Sequence, residues 1–190
     1  MSEFQAYLRL GFDHIIDPNG YDHILFVIAL CAIYTFPDWK KVLILITAFT
    51  IGHSITLALA TLQLVNFRTN VVELLIPMTI ISTAFSNYFQ NKTGEHQSPR
   101  LRYGLAVCFG LIHGLGFSTY LRSLLGETES IIGPLFAFNV GLEIGQLLIV
   151  AFALTLTAFF VNVLKIKRFT WNHLVSGMVA GMALSLILSK

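Results

Sequence analysis

Charged residues are scarce in this sequence. Asp, Glu, Lys and Arg together make up 12% of the 190 residues, whereas hydrophobic residues make up 55%. A soluble domain usually carries about a quarter charged residues, so this chain has too little polar surface for one. The mean hydropathy of +0.74 agrees with that conclusion. The composition therefore indicates an integral membrane protein, with the lipid bilayer as a partner.

Basic residues and cysteines are also few. The formal net charge is only +2, and the basic residues are spread over short loops, so the chain lacks the basic stripe that nucleic-acid binding requires. Nucleic acid is therefore excluded as a partner. The two cysteines, Cys31 and Cys108, fall inside apolar stretches, where cysteine usually packs as a small hydrophobic side chain.

The apolar residues form six segments, which are compared with the roughly 20 residues that cross a ~30 Å hydrocarbon core. They lie near residues 21–36, 42–63, 71–89, 101–121, 131–162 and 171–189. Pro18 and Gly20 predict a turn before the first segment, so residues 1–20 are expected to form a lead-in near one membrane face. The sequence thus predicts one all-α membrane domain over residues 1–190. It is a polytopic bundle of about six transmembrane helices over residues 21–189, with an interfacial N-terminal segment.

The distribution of Lys and Arg predicts the orientation, because cytoplasmic loops carry an excess of both. One side of the predicted bundle holds Lys40, Lys41, Lys92, Arg100, Arg102, Lys165, Lys167 and Arg168, and the other holds Arg9, Arg68, Arg122 and Lys190. The richer side is expected to be cytoplasmic. Both termini are then non-cytoplasmic, in a protein integral to the inner membrane.

Three residues of metal-ligand type are predicted to meet at mid-depth. His53 and His113 each lie about 11 or 12 residues into spans of the same direction, which at 1.5 Å per residue is about 16 Å. Glu143 lies equally deep in a span of the opposite direction. Asp22 and His23 begin the first span closer to the membrane face, and His14 precedes it.

A divalent transition metal would explain why these polar groups are buried. An ionised carboxylate in a helix bundle is costly unless it is paired or bound to a cation. Histidine and carboxylate together suit zinc, nickel, iron or copper, whereas magnesium and calcium favour oxygen ligands. We therefore predict a metal site made of His23, His53, His113 and Glu143, with His14 and Asp22 as further candidates.

Four segments resemble the signature motifs of the HupE/UreJ family. They read "GYDHILF", "FTIGHSITL", "GLIHGLGF" and "FNVGLEIGQL" and follow the family's order, in a resemblance that extends from Gly11 to about Gln146. The family comprises small membrane proteins that accompany hydrogenase and urease and are regarded as nickel permeases. The resemblance implies that Asp22, His23, His53, His113 and Glu143 occupy its polar motif positions. It also implies a metalloenzyme-maturation partner, or a second copy of the chain, beside the metal ion.

Two functions remain open at this point. The first is a divalent metal permease or metal-handling protein, with nickel or zinc as the ion. The second is an intramembrane zinc hydrolase, in which Glu143 or Asp22 would be the general base for a metal-bound water. The apolar cytoplasmic halves of the spans favour the hydrolase, because they show no exit path, whereas the resemblance favours the permease.

Overall fold

A computed structural model describes residues 2–89, 98–125 and 130–189 of the chain. Within these ranges the chain is helical and contains no strand. The α-helices are α1 (Glu3–Ile16), α2 (Asp22–Cys31), α3 (Trp39–Thr61), α4 (Thr69–Tyr88), α5 (Pro99–Leu125), α6 (Ile132–Ala158) and α7 (Arg168–Leu188). A 3₁₀ turn (Phe36–Asp38) leads into α3, and a π turn (Phe159–Val163) extends α6. The all-α helical bundle predicted from the sequence is confirmed.

Among the described residues, five stretches are long and apolar enough to cross a membrane, where the sequence predicted about six. They are Phe36–Thr61, Thr69–Tyr88, Arg100–Leu125, Ile132–Val163 and Arg168–Leu188. The difference lies at the first predicted span, residues 21–36. The structure gives this stretch only the 10 residues of α2, about half of what a crossing needs.

Helix α1 packs lengthwise against the first half of α6. A Cβ atom on Gly11 would overlap the carbonyl of Phe138, and one on Gly141 would overlap the carbonyl of Leu8. Small residues allow this approach of two helix backbones. Leu8 lies against Gly141, whereas Ile15 lies against Gly145, so the residue numbers rise together and α1 and α6 run in the same direction. The sequence did not predict this partner for α1.

Helix α1 ends at Ile16, and after a short turn the chain continues along α6 as helix α2. Residues 17–21 are not helical, which confirms the turn predicted from Pro18 and Gly20. The Asp17 side chain accepts a hydrogen bond from the backbone N–H of Asn19 at 2.9 Å. Helix α2 then lies beside the second half of α6, where Ile28 and Phe152 share a cavity wall. The 14 and 10 residues of α1 and α2 are together about as long as one crossing, at 1.5 Å per residue.

Helices α3 and α5 make the most extensive contact of any two helices in the described part of the chain. A Cβ atom on Gly52 would overlap the carbonyl of Val107, and one on Gly110 would overlap the carbonyl of Phe49. A Cβ atom on Gly114 would likewise overlap the carbonyl of His53. The contacts therefore move from residues 49 and 110 to residues 53 and 114, so α3 and α5 run in the same direction. The pairing places the middle of α3 against the middle of α5, where each helix carries a histidine.

Candidate metal centre

Four helices each contribute one histidine to the middle of the bundle. His14 lies in the last turn of α1 and His23 in the first turn of α2, so the break between these helices brings both to the same place. His53 and His113 come from the paired middles of α3 and α5 and have no exposed surface. His23 is 4% exposed, and His14 is partly buried.

His23 lies at the centre of this cluster. Its ring centroid is 4.7 Å from that of His14, 5.0 Å from that of His113 and 5.9 Å from that of His53. Among the described residues, two groups have ligand atoms that all lie within 4.8 Å of one another. They are His14, His23 and His53, and Asp22, His23 and His113. Donors bound to one ion at about 2.0–2.1 Å lie up to about 4.2 Å apart, so small side-chain rotations would suffice.

The carboxylate of Asp22 fixes the tautomer of His23. Its Oδ1 lies 3.0 Å from His23 Nδ1 and also accepts the backbone N–H of His23 at 2.9 Å. An ionised carboxylate only accepts hydrogen bonds, so Nδ1 carries the proton and the lone pair is on Nε2. Carboxylates commonly orient metal-binding histidines in this way. His23 therefore presents Nε2 as its ligand atom.

Thr79 of α4 fixes the tautomer of His113 by the same logic. The Thr79 hydroxyl donates to the carbonyl of Ile76 at 2.7 Å, which uses its only proton. Its oxygen also lies 2.9 Å from His113 Nε2, so it must accept a hydrogen bond from that nitrogen. The lone pair of His113 is then on Nδ1. The sequence analysis missed Thr79, because a threonine in an apolar span carries no metal-ligand signal.

Five ring nitrogens of the four histidines have no hydrogen-bond partner among the described residues. Nε2 of His14, Nε2 of His23, both ring nitrogens of His53 and Nδ1 of His113 are buried without a hydrogen bond to any described residue. Buried polar atoms are nearly always satisfied, and an unsatisfied one costs about 1–3 kcal/mol. Imidazoles whose ring nitrogens are buried without partners are donors that fit a transition-metal ion.

A water-accessible vestibule leads to the histidines from one end of the bundle. Its volume is about 440 Å³. Its lining includes His14, Asp17, Asn19, Tyr21, Asp22, His23, Glu73, Pro77, His113 and Phe117. Glu73 lies one turn into α4, so the vestibule opens where α4 begins. A hydrated cation can therefore reach His14, His23 and His113 past the carboxylates of Asp17 and Glu73.

Aromatic rings close the opposite side of the cluster. Phe26 and Phe49 lie 5.1 and 5.2 Å from His113 between ring centroids, and 4.7 Å from each other. Both phenylalanines are fully buried. The histidines thus lie between an open vestibule and a closed apolar layer.

Glu143 lies outside both groups. Its Oε1 accepts a hydrogen bond from the Thr47 hydroxyl at 2.7 Å, and its neighbour Gln146 accepts one from Thr50 at 2.9 Å. At about 100° per residue, Glu143 is rotated by roughly 200° from Gly141 and Gly145, which face α1 and its His14. The prediction matched its depth to that of His53 and His113, but depth does not determine which helix face a side chain occupies.

Comparison with known proteins agrees with the resemblance seen in the four motifs. A family model described as "HupE / UreJ protein" matches residues 1–189. The chain belongs to the HupE/UreJ family. No curated protein and no solved structure matches it. HupE/UreJ membership implies a membrane protein that handles a metal ion for hydrogenase or urease, and the histidine cluster is where the structure offers a site for such an ion.

Proposed function

We propose that this HupE/UreJ protein is a permease for a divalent transition-metal ion, with nickel as its cargo. The ion would be held by His14, His23, His53 and His113, with Asp22 orienting His23. The observation that carries this proposal is the set of buried imidazole nitrogens without partners, beside a vestibule that His14, His23 and His113 line. Family membership favours nickel over zinc, and the ion would supply hydrogenase or urease maturation.

The donor chemistry supports a transition metal. Imidazole nitrogens suit nickel, copper and zinc, whereas magnesium and calcium take oxygen ligands. The ion's positive charge would lie beside one carboxylate, that of Asp22, which is 23% exposed and faces the vestibule. Charged residues inside membrane bundles commonly mark ion pathways.

The geometry also supports a direction of access. The vestibule opens at the end of the bundle where α4 begins, which the Lys and Arg asymmetry assigns to the non-cytoplasmic side. A permease needs binding that is strong enough to admit the ion and weak enough to release it. The Phe26–Phe49 layer would then have to separate before the ion leaves toward the cytoplasm.

Nickel binding and nickel uptake test this proposal together. Purified protein, stripped of metal with chelator, is expected to bind about one Ni²⁺ per chain, because His23 belongs to both donor groups. Binding is measured by equilibrium dialysis with elemental analysis. Proteoliposomes are expected to accumulate nickel faster than empty liposomes. Stoichiometric binding without uptake would contradict a permease.

Glu143→Gln is expected to leave nickel affinity within about twofold of wild type. The reason is that Glu143 hydrogen-bonds Thr47 and belongs to neither donor group among the described residues. The amide keeps the size of the side chain and an oxygen that accepts from Thr47. Isothermal titration of stripped protein with Ni²⁺ checks this. A loss of affinity of tenfold or more would place Glu143 in the ion's coordination sphere after all.

A further inference from the structure

A buried, positively charged residue, Arg102, lies in the half of the bundle opposite the vestibule. It belongs to the first turn of α5, 11 residues before His113, which is about 16 Å along the helix. The arginine is 8% exposed and donates a hydrogen bond to the phenol of Tyr34. Its Nε and Nη2 have no hydrogen-bond partner among the described residues.

Arg102 belongs to the wall of a separate cavity of about 160 Å³. Helix α4 lines one side of it with Ser82, Thr83 and Asn87, while Leu30, Leu45 and Phe109 line the others. Ser82 is exposed on the outer surface of the bundle, as is Leu105 at 36%. The cavity therefore reaches the lipid-facing surface between α4 and α5.

The positive charge of Arg102 favours the binding of an anion in this cavity. The described residues contain no ion pair to Arg102, and a buried charge without a partner is strongly unfavourable. The hydroxyls of Ser82 and Thr83 do not compensate, because they are uncharged and neither accepts a hydrogen bond from Nε or Nη2 of Arg102. A guanidinium presents its N–H groups as a planar fork that matches carboxylate and phosphate oxygens. The positive charge of Arg102 would repel a metal cation, so the cavity is not a second binding site for the ion.

We propose that this cavity binds the phosphate of an anionic phospholipid, with the Arg102 fork on the phosphate oxygens. The apolar side chains of Leu30, Leu45 and Leu105 would contact the start of the acyl chains. Basic pockets between transmembrane helices bind anionic lipid head groups in this way. The shared chemistry is a phosphate oxyanion, and the opening between α4 and α5 favours the lipid as its source over free phosphate.

Lipid retention by Arg102→Gln tests the proposal. Protein is purified in detergent, exchanged into a mixture of phosphatidylglycerol and phosphatidylcholine, and analysed by native mass spectrometry. Wild type is expected to retain phosphatidylglycerol preferentially, and R102Q to lose at least tenfold of that preference, since charge-assisted hydrogen bonds are the strong ones. The matched control is Arg100→Gln, which removes the same charge two residues earlier from an exposed side chain and is expected to stay within twofold.

A second variant covers the case in which R102Q does not fold. Ser82→Leu leaves Arg102 in place and puts a branched apolar side chain at the exposed mouth of the cavity, where it is expected to lower phosphatidylglycerol retention about fivefold. Equal retention by wild type and either folded variant would overturn the proposal. A third arm titrates lipid-free protein with inorganic phosphate. Stabilisation by phosphate that needs Arg102, without any preference for phosphatidylglycerol, would overturn the lipid and identify the free anion as the ligand.

Discussion

Replacing His23 with alanine is expected to lower nickel affinity more than a hundredfold and to abolish nickel uptake into proteoliposomes. His23 is the one residue that belongs to both donor groups found among the described residues, so its loss leaves neither group with three donors. Even residues that only orient a ligand change metal affinity by 10–100-fold, and His23 is expected to be a ligand itself. Isothermal titration and uptake are measured on the same preparation.

His173→Ala is the matched control for this variant. His173 lies in α7, where its Nδ1 is 2.8 Å from the carbonyl of Phe169, and it belongs to neither donor group. Its replacement is expected to leave nickel affinity within twofold of wild type. If the two alanine variants bound nickel equally well, the histidine cluster would not be the binding site, whatever the uptake assay showed.

Gly110→Val is expected to destabilise the folded bundle by about 3 kcal/mol or more. A Cβ atom on Gly110 would overlap the carbonyl of Phe49 and lie 2.9 Å from the backbone nitrogen of His53. Overpacking typically costs about 1–3 kcal/mol, and here the obstacle is backbone, which cannot rotate away. Separating α3 from α5 would also move His53 away from His113. The measurement is the yield of monodisperse protein after detergent extraction, with a thermal melt of what survives.

Gly104→Val provides the comparison on the same helix. No atom lies within 4 Å of a Cβ built on Gly104, so the same change in side chain meets no obstacle there. We expect its yield and melting temperature to stay close to those of wild type. Loss of folded protein from both variants would mean that valine is harmful anywhere in α5 and that close packing against α3 is not the cause.

The depth of the site could be predicted from the sequence, but its membership could not. Counting residues from the ends of apolar segments placed His53 and His113 at one level, because helical rise is constant, and the structure buries both beside His23. Which face a side chain occupies depends on how the helices pack, and apolar spans with little polar contrast do not reveal this. Glu143 had a suitable depth and lies outside both groups for that reason.

The structural roles of α1 and of Arg102 were harder to predict. Pro18 and Gly20 predicted a turn, and residues 1–20 were therefore expected to form a segment near one membrane face. That expectation did not include the packing of α1 on α6 through Gly11 and Gly141, glycines whose role depends on a partner far away in sequence. Arg102 entered the sequence analysis only as a basic residue that helps to orient the chain.

The pairing of α1 with α6 also has a consequence for how the protein is made. Helix α1 is short and carries Glu3, Arg9 and Asp13, so it is poorly suited to enter the hydrocarbon core by itself. Its partner α6 leaves the ribosome more than a hundred residues later, which at ~5–20 residues per second is roughly ten seconds. During that interval the surface of α6 on which α1 packs has not yet been synthesised. His14 therefore joins the other histidines only in a late step of membrane insertion, after most of the chain has been synthesised.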